Sequence, residues 1–180
     1  MKSFRETVEE RAKRDPEFRK ALKEKTVCIS GGFDPVHVGH LRMIREAKKL
    51  TCGGKLIVIV NSDDWLLRKK GYIFMPFVER REILMGFRGV DGVSSVDDKD
   101  NTVCEALKRI HPDIFANGGD RKEGNVPEYQ VCETMDIGMV YNVGGGKVQS
   151  SSNLVSSNSE YLLAYPNNLP RLMKETKDEN

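Results

Sequence analysis

No Cys-x-x-Cys pair, no long apolar run and no strong excess of either charge occurs in this chain. Each absence narrows what the protein can be. The four cysteines, Cys28, Cys52, Cys104 and Cys132, stand far apart. With no signal peptide read at the start, they are expected to be reduced thiols of a cytoplasmic protein. The most apolar run, LIVIV at 56–60, is far shorter than the roughly 20 apolar residues that cross a bilayer, so no membrane span is expected. Basic residues outnumber acidic ones only by 29 to 27, a net charge of +2. That lacks the surplus that would point to nucleic acid, while a small anionic ligand stays open. Histidine is scarcer still, with three in the chain. Only His37 and His40 lie close together. His111 precedes Pro112 with no cysteine beside it, so the ligand set that zinc needs is missing and no protein metal site is expected.

The 180 residues suit one domain with a sizeable core. Residues 1–25 are mostly charged, with sparse apolar positions at helical spacing around Asp15-Pro16, and read as an N-terminal helical extension. From 26 the pattern changes. TVCIS (26–30), KLIVIV (55–60), GVSSV (92–96), DIFAN (113–117) and IGMVYNV (137–143) are apolar, β-prone runs. Between them HLRMIREAKKL, MPFVERREILMGF and NTVCEALKRIH repeat apolar residues at helical spacing, the last opened by Asn101 as an N-cap. Strands alternating with helices predict an α/β fold over 26–157, a doubly wound, Rossmann-like parallel sheet of about five strands with flanking helices. Residues 158–180 are polar, contain Pro166 and Pro170, and read as a C-terminal tail.

In such sheets ligands bind beyond the carboxyl ends of the strands, where GGFDPVHVGH (31–40) follows the first one. Gly31 and Gly32 let the backbone approach a ligand, and the helix opening near Val38 would aim amides at an anion. His37 and His40 lie about one helical turn apart and add imidazole donors to the same point, so phosphate fits. Asp34 either coordinates Mg²⁺ indirectly or holds the turn by accepting from backbone amides. Lys69 and Lys70 resemble a solvated charge run, yet they follow the second strand and precede Gly71. A loop there could bring one of them, Lys70 in preference, over a triphosphate. Gly118 and Gly119 permit close approach at a later strand end, and Asp120 could accept from ribose hydroxyls or a base amine, or merely shape a turn. Ser150, Ser151 and Ser152 suit both a helix cap and an anion site. Arg80 sits among Glu79 and Glu82, where a local salt bridge is the plain alternative.

GGFDPVHVGH resembles the signature of the nucleotidylyltransferases of the cytidylyltransferase type, whose His-x-Gly-His motif is shared with class I aminoacyl-tRNA synthetases. VNSDD (60–64) with RKKG (68–71), ERREIL (79–84), NGGDR (117–121) and VQSSSNLV (148–155) resemble that family's further motifs in order, from about Val27 to Val155. Within the family, the glycerol-3-phosphate cytidylyltransferase branch and the adenylyltransferase domain of ADP-heptose synthase look nearest. The resemblance implies transfer of a nucleoside monophosphate from ATP or CTP to a phosphorylated small acceptor, with Mg²⁺ accompanying the triphosphate and pyrophosphate released. His37, His40 and Lys70 would then be catalytic. Gly31, Gly32, Phe33, Asp34, Gly39, Gly118, Asp120, Ser150, Ser151 and Ser152 would bind the nucleotide, and Lys69 and Arg80 the phosphate or acceptor. A homodimer is compatible. The cytidylyltransferases' Arg-Thr-x-Gly-Ile-Ser is here GGGKVQS, its arginine falling on Gly145 with Lys147 nearby, which leans base choice toward ATP. From a different class, a nucleotide-binding sensor without turnover or a partner-binding module would carry the same cradle. A tRNA synthetase fragment fits poorly, since no Lys-Met-Ser-Lys-Ser-like loop is present.

Overall fold

The computed structural model describes residues 14, 24–119, 121, 126–146 and 149–156. Most of the expected N-terminal extension, and the tail expected over 158–180, lie outside the described residues.

The elements run β1 (Val27–Gly31), α1 (Val38–Leu50), β2 (Leu56–Val60), α2 (Asp63–Lys70), α3 (Phe77–Met85), β3 (Gly92–Ser95), α4 (Cys104–Ile110), β4 (Ile114–Gly118), α5 (Tyr129–Thr134) and β5 (Gly138–Val143). A last helix, α6, covers 151–156. The strands form one sheet in the order β3-β2-β1-β4-β5, every pairing parallel. This is the Rossmann-like doubly wound sheet that the alternation of patterns predicts. The chain first winds outward from β1 through β2 to β3, then crosses to the other side of β1 for β4 and β5. The reversal opens a crevice at the carboxyl ends of β1 and β4, the usual ligand position in such sheets.

Alternation along β1 divides the core. Val27 and Ile29 join Met43, Ile44 and Ala47 of α1 and Leu84 of α3 on one face. Cys28 points to the other, among Ala106 and Leu107 of α4 and Cys132 of α5. Both faces are covered, so β1 and β2 can be nearly all apolar. Each fully buried aliphatic side chain contributes about 1.5–3 kcal/mol. Burial also pushes the Cys28 thiol up to about 12 and Cys132, where burial is again the leading cause, up to about 11. All four cysteines are unpaired.

Two local expectations are corrected. The stretch carrying Lys69 and Lys70 is the end of helix α2 rather than a loop. Ser62 caps it by accepting from the Trp65 amide at 3.0 Å, Asp63 and Asp64 occupy its first turn, and Arg68, Lys69 and Lys70 its last. The charges thus complement the helix dipole at both ends, a signal readable in the sequence. Asn101 does not cap α4, which begins at Cys104. Instead Glu128, buried, accepts from the Val103 amide at 3.0 Å, a partner 25 residues away that no local pattern could name.

Candidate active site

His37 is the N-cap of α1, and its Nδ1 accepts from the Gly39 amide at 3.1 Å. The His37 amide in turn donates to Nδ1 of His40 at 3.2 Å. This is a capping box made from two imidazoles. A ring nitrogen that accepts carries no proton, so each neutral ring is protonated on Nε2. The rings stack with centroids 3.8 Å apart, and His40 also lies against Phe33 at 4.8 Å. Burial lowers the His40 pKa to about 3, helped by the nearby His37 and Lys70 charges. Burial and Lys70 lower His37 as well. The amides expected to meet an anion directly are in part taken up by imidazole nitrogens. Two neutral rings therefore pass the positive end of α1 outward as Nε2–H donors.

Below them, Asp34 is fully buried and its two carboxylate oxygens accept from the amides of Phe74 and Met75 at 2.9 and 2.6 Å. Of the two roles open to it, the structure shows the turn-holding one. Its carbonyl accepts from Lys70 Nζ at 2.6 Å, which tethers the lysine beside the histidines. Burial lowers the Lys70 pKa, against the pull of Asp34 and together with Arg80. Arg80 is also fully buried. It donates to the carbonyls of Met75, Gly32 and Asn61 at 3.0, 2.7 and 2.9 Å and pairs with Asp63 at 2.6 Å. Its partner is thus Asp63, not Glu79 or Glu82, and its charge is spent within the protein rather than presented to a ligand.

The far wall comes from the ends of β4 and β5. A Cβ on Gly118 would stand 2.5 Å from Met43 Sδ, and one on Gly144, at φ +88, 2.7 Å from the Met43 amide nitrogen. Glycine at both places lets the two strand ends close onto the first turns of α1. Ser150 caps α6 by accepting from the Asn153 amide at 3.0 Å, and Ser151 donates to the Pro35 carbonyl at 2.9 Å. That bond ties the last helix to the turn that carries the histidines.

These walls enclose a cavity of about 370 Å³ at the β1/β4 crevice. It gathers Gly32, Phe33, His37, Gly39, His40, Lys70, Gly118, Ser150, Ser151 and Ser152 from segments far apart in the chain. Gly31, Asp34, Lys69 and Arg80 do not line it: Asp34 and Arg80 are buried beneath it, and Lys69 is exposed on α2. Asp120 and Lys147 lie outside the described residues. The lining also includes Met43 and Trp65, which the sequence reading omitted, and Asn117, Arg121 and Gly144–Gly146, which it gave only as parts of NGGDR and GGGKVQS. Met43 follows His40 by three residues on a helix, and Arg121 follows Asp120 directly, so both were within reach. Trp65 depended on recognising α2. Among the described residues, no cluster of three or more His, Cys, Asp or Glu could hold a metal ion, and no helix is long and apolar enough to cross a membrane.

A family model described as cytidylyltransferase-like matches residues 28–157. The bifunctional protein HldE of Hahella chejuensis (strain KCTC 2396) is 34% identical over 116 residues, 63% of this chain and 24% of that protein. The FAD synthase of Pyrococcus abyssi (strain GE5 / Orsay) is 36% identical over 96 residues, 53% of this chain and 63% of that one. The matched segment thus spans about a quarter of the HldE relative. Among solved structures, a lipopolysaccharide core biosynthesis protein from Thermoplasma volcanium GSS1 superposes with a TM-score of 0.55 at 24% identity, over 67% of this chain and 97% of the other. That likeness concerns the fold.

Proposed function

Because the chain belongs to the cytidylyltransferase-like family, we propose that it transfers a nucleoside monophosphate from ATP or CTP to a phosphorylated small acceptor, a sugar phosphate or phospho-alcohol, releasing pyrophosphate. The observation that carries this reading is the imidazole capping box. It leaves two Nε2–H donors beside Lys70 in one cavity, a donor set suited to phosphate oxygens.

In this reaction a phosphate oxygen of the acceptor attacks the α-phosphorus. The new P–O bond forms as the bond to the β-phosphate bridging oxygen breaks, and that electron pair leaves with pyrophosphate. The acceptor phosphate is already ionised, so no general base is needed. The demand is for positioning and for stabilising charge on the α-phosphoryl oxygens and the leaving group. Neutral imidazoles suit this, because they donate without having to lose a proton first. Lys70 supplies the positive charge, and the open space beside Gly119 and Gly145 in the cavity gives room for the nucleoside. Asp34 and Arg80 act as positioning residues, holding the turn and the Gly32 carbonyl. Both Asp34 oxygens are engaged by amides, so the protein offers no carboxylate cage there. Mg²⁺ accompanying the triphosphate would supply further neutralisation of phosphate charge, with Lys70 and the two Nε2–H groups as the protein's own contribution.

The test is a pyrophosphate-release screen on the full chain, crossing four nucleoside triphosphates with sugar 1-phosphates and phospho-alcohols. Release that depends on both partners is expected. Tight nucleotide binding without release for any acceptor would favour the sensor reading instead.

A further inference from the structure

Trp65 is the only tryptophan in the chain, and it stands half-buried in the wall of the cavity, on the side of β2 and α2. The reaction as derived above gives it no task. Its backbone is firmly held, because Ser62, which accepts from the Trp65 amide at 3.0 Å, is itself bound to Asp98 through its amide and hydroxyl at 2.8 and 2.6 Å. Leu66, next in the chain, is fully buried. The six-membered ring of the indole lies over Gly32, where an added Cβ would stand 3.4 Å from Trp65 Cζ3 and 2.9 Å from Leu66 Cδ2. Nε1 is at the opposite end of the ring from Cζ3. Among the described residues that N–H has no hydrogen-bond partner, and it is not buried. A rigidly mounted aromatic ring thus borders the cavity with its polar edge unused.

We infer that Trp65 determines acceptor specificity, stacking on the ring of a phosphorylated sugar and so selecting it over an open-chain phospho-alcohol. This rests on the nucleotidyl-transfer reading, in which one cavity must hold two molecules. The attacking and leaving oxygens lie roughly in line through the α-phosphorus, so the acceptor needs a place of its own, away from the pyrophosphate. The open space beside Gly119 and Gly145, on the β4 and β5 side of the cavity, suits the nucleoside. That leaves the α2 side for the acceptor. One helix carries both groups such a molecule needs: Lys70 beside the reacting phosphates and, about 7.5 Å nearer the helix start at 1.5 Å per residue, Trp65 for the body of the sugar. A sugar ring presents C–H groups, whose hydrogens carry partial positive charge, to the negative face of the indole, and hydroxyls at its rim to the free Nε1–H. An open chain has no flat apolar face. It would cover less of the indole and gain less from it.

Because the chain has a single tryptophan, its fluorescence reports on this position alone. In the full chain the emission should shift on titration with a panel of pyranose 1-phosphates, and much less with glycerol 3-phosphate at equal occupancy measured by calorimetry. In the pyrophosphate-release assay Trp65→Ala should raise KM for the sugar phosphate about 10- to 100-fold, leave KM for the triphosphate within about threefold, and abolish the preference over glycerol 3-phosphate. Trp65→Phe keeps a ring and should recover KM to within about fivefold of wild type. A tryptophan with a merely structural role would instead lower kcat or raise both KM values together when removed. The proposal is overturned by emission indifferent to every sugar phosphate offered, by a response to the triphosphate alone, which would place the base on the indole, or by a Trp65→Ala enzyme that still prefers sugar phosphates. Absence of pyrophosphate release from every pair would remove the transfer reading, and the emission titration would still decide whether a sugar phosphate stacks on Trp65.

Discussion

His40 joins two tasks in one ring: Nδ1 accepts from the His37 amide, and the ring lines the cavity with Nε2–H left as its donor. Substitutions can separate them. A glutamine at this helix position can still cap, so His40→Gln should keep the fold while kcat falls about 10²–10³-fold, the scale for losing one preorganised donor. The effect should fall on kcat more than on KM for the triphosphate, because the donor matters most once charge has moved. An unchanged kcat with a raised KM would contradict a transition-state role. The same residue sets a pH dependence. In the folded protein its pKa is lowered to about 3, whereas in the unfolded chain it is near 6.5. Between these values the unfolded state binds the extra proton, so the contribution of His40 is full above about pH 6.5 and is lost as pH falls. The slope reaches about 1.4 kcal/mol per pH unit at most. Urea melts at neutral and mildly acid pH should show wild type losing its advantage over His40→Gln; a constant difference would show that the ring is not held neutral.

At the scale of elements, the site depends on how α2, α3 and the β1–α1 turn are locked together. Arg80 joins all three through Asp63, the Asn61 and Gly32 carbonyls and its own loop. Arg80→Met keeps an apolar stem of similar length and leaves three carbonyls and one carboxylate without their donor. A loss of about 3–5 kcal/mol is expected, the scale for breaking a buried charged network from one side. Denaturant unfolding measures it, and the variant should also lose activity because Gly32 is no longer seated. A variant as stable as wild type would mean that the three elements hold without the guanidinium. ERREIL shows Arg80 among three charged neighbours, and nothing local in that string says that this one turns inward. Helical spacing from Leu84, four residues on and also fully buried, is the one clue.

For the whole molecule, the open question is which base the cavity accepts. Gly145 lines the cavity at φ +80, and a Cβ there would meet nothing within 4 Å. The position matching the cytidylyltransferases' arginine therefore sends no side-chain donor toward a cytosine. A site built to hydrogen-bond its base rejects a wrong one by about 10⁴–10⁵-fold. ATP is expected to be preferred, or CTP favoured only modestly, in kcat/KM measured with a competent acceptor. A CTP preference above about 10³ would show that other groups rebuild the cytosine reader.

The sequence by itself determined the strands, their alternation with helices, the parallel sheet and the location of the site after its strand ends. Those follow from periodicity and from glycines and histidines placed at short, fixed spacings. That His37, Gly39, His40 and Gly32 share one cavity was legible because they lie within one short stretch of chain. Only the tertiary structure decided which charges line the cavity. Lys70 enters the cavity while Lys69 does not, Asp34 binds amides 40 and 41 residues away, and Arg80 is withdrawn into the interior. A charged side chain is directed by the partners that desolvation forces it to find. Those partners are distant in sequence and become neighbours only when the sheet has formed.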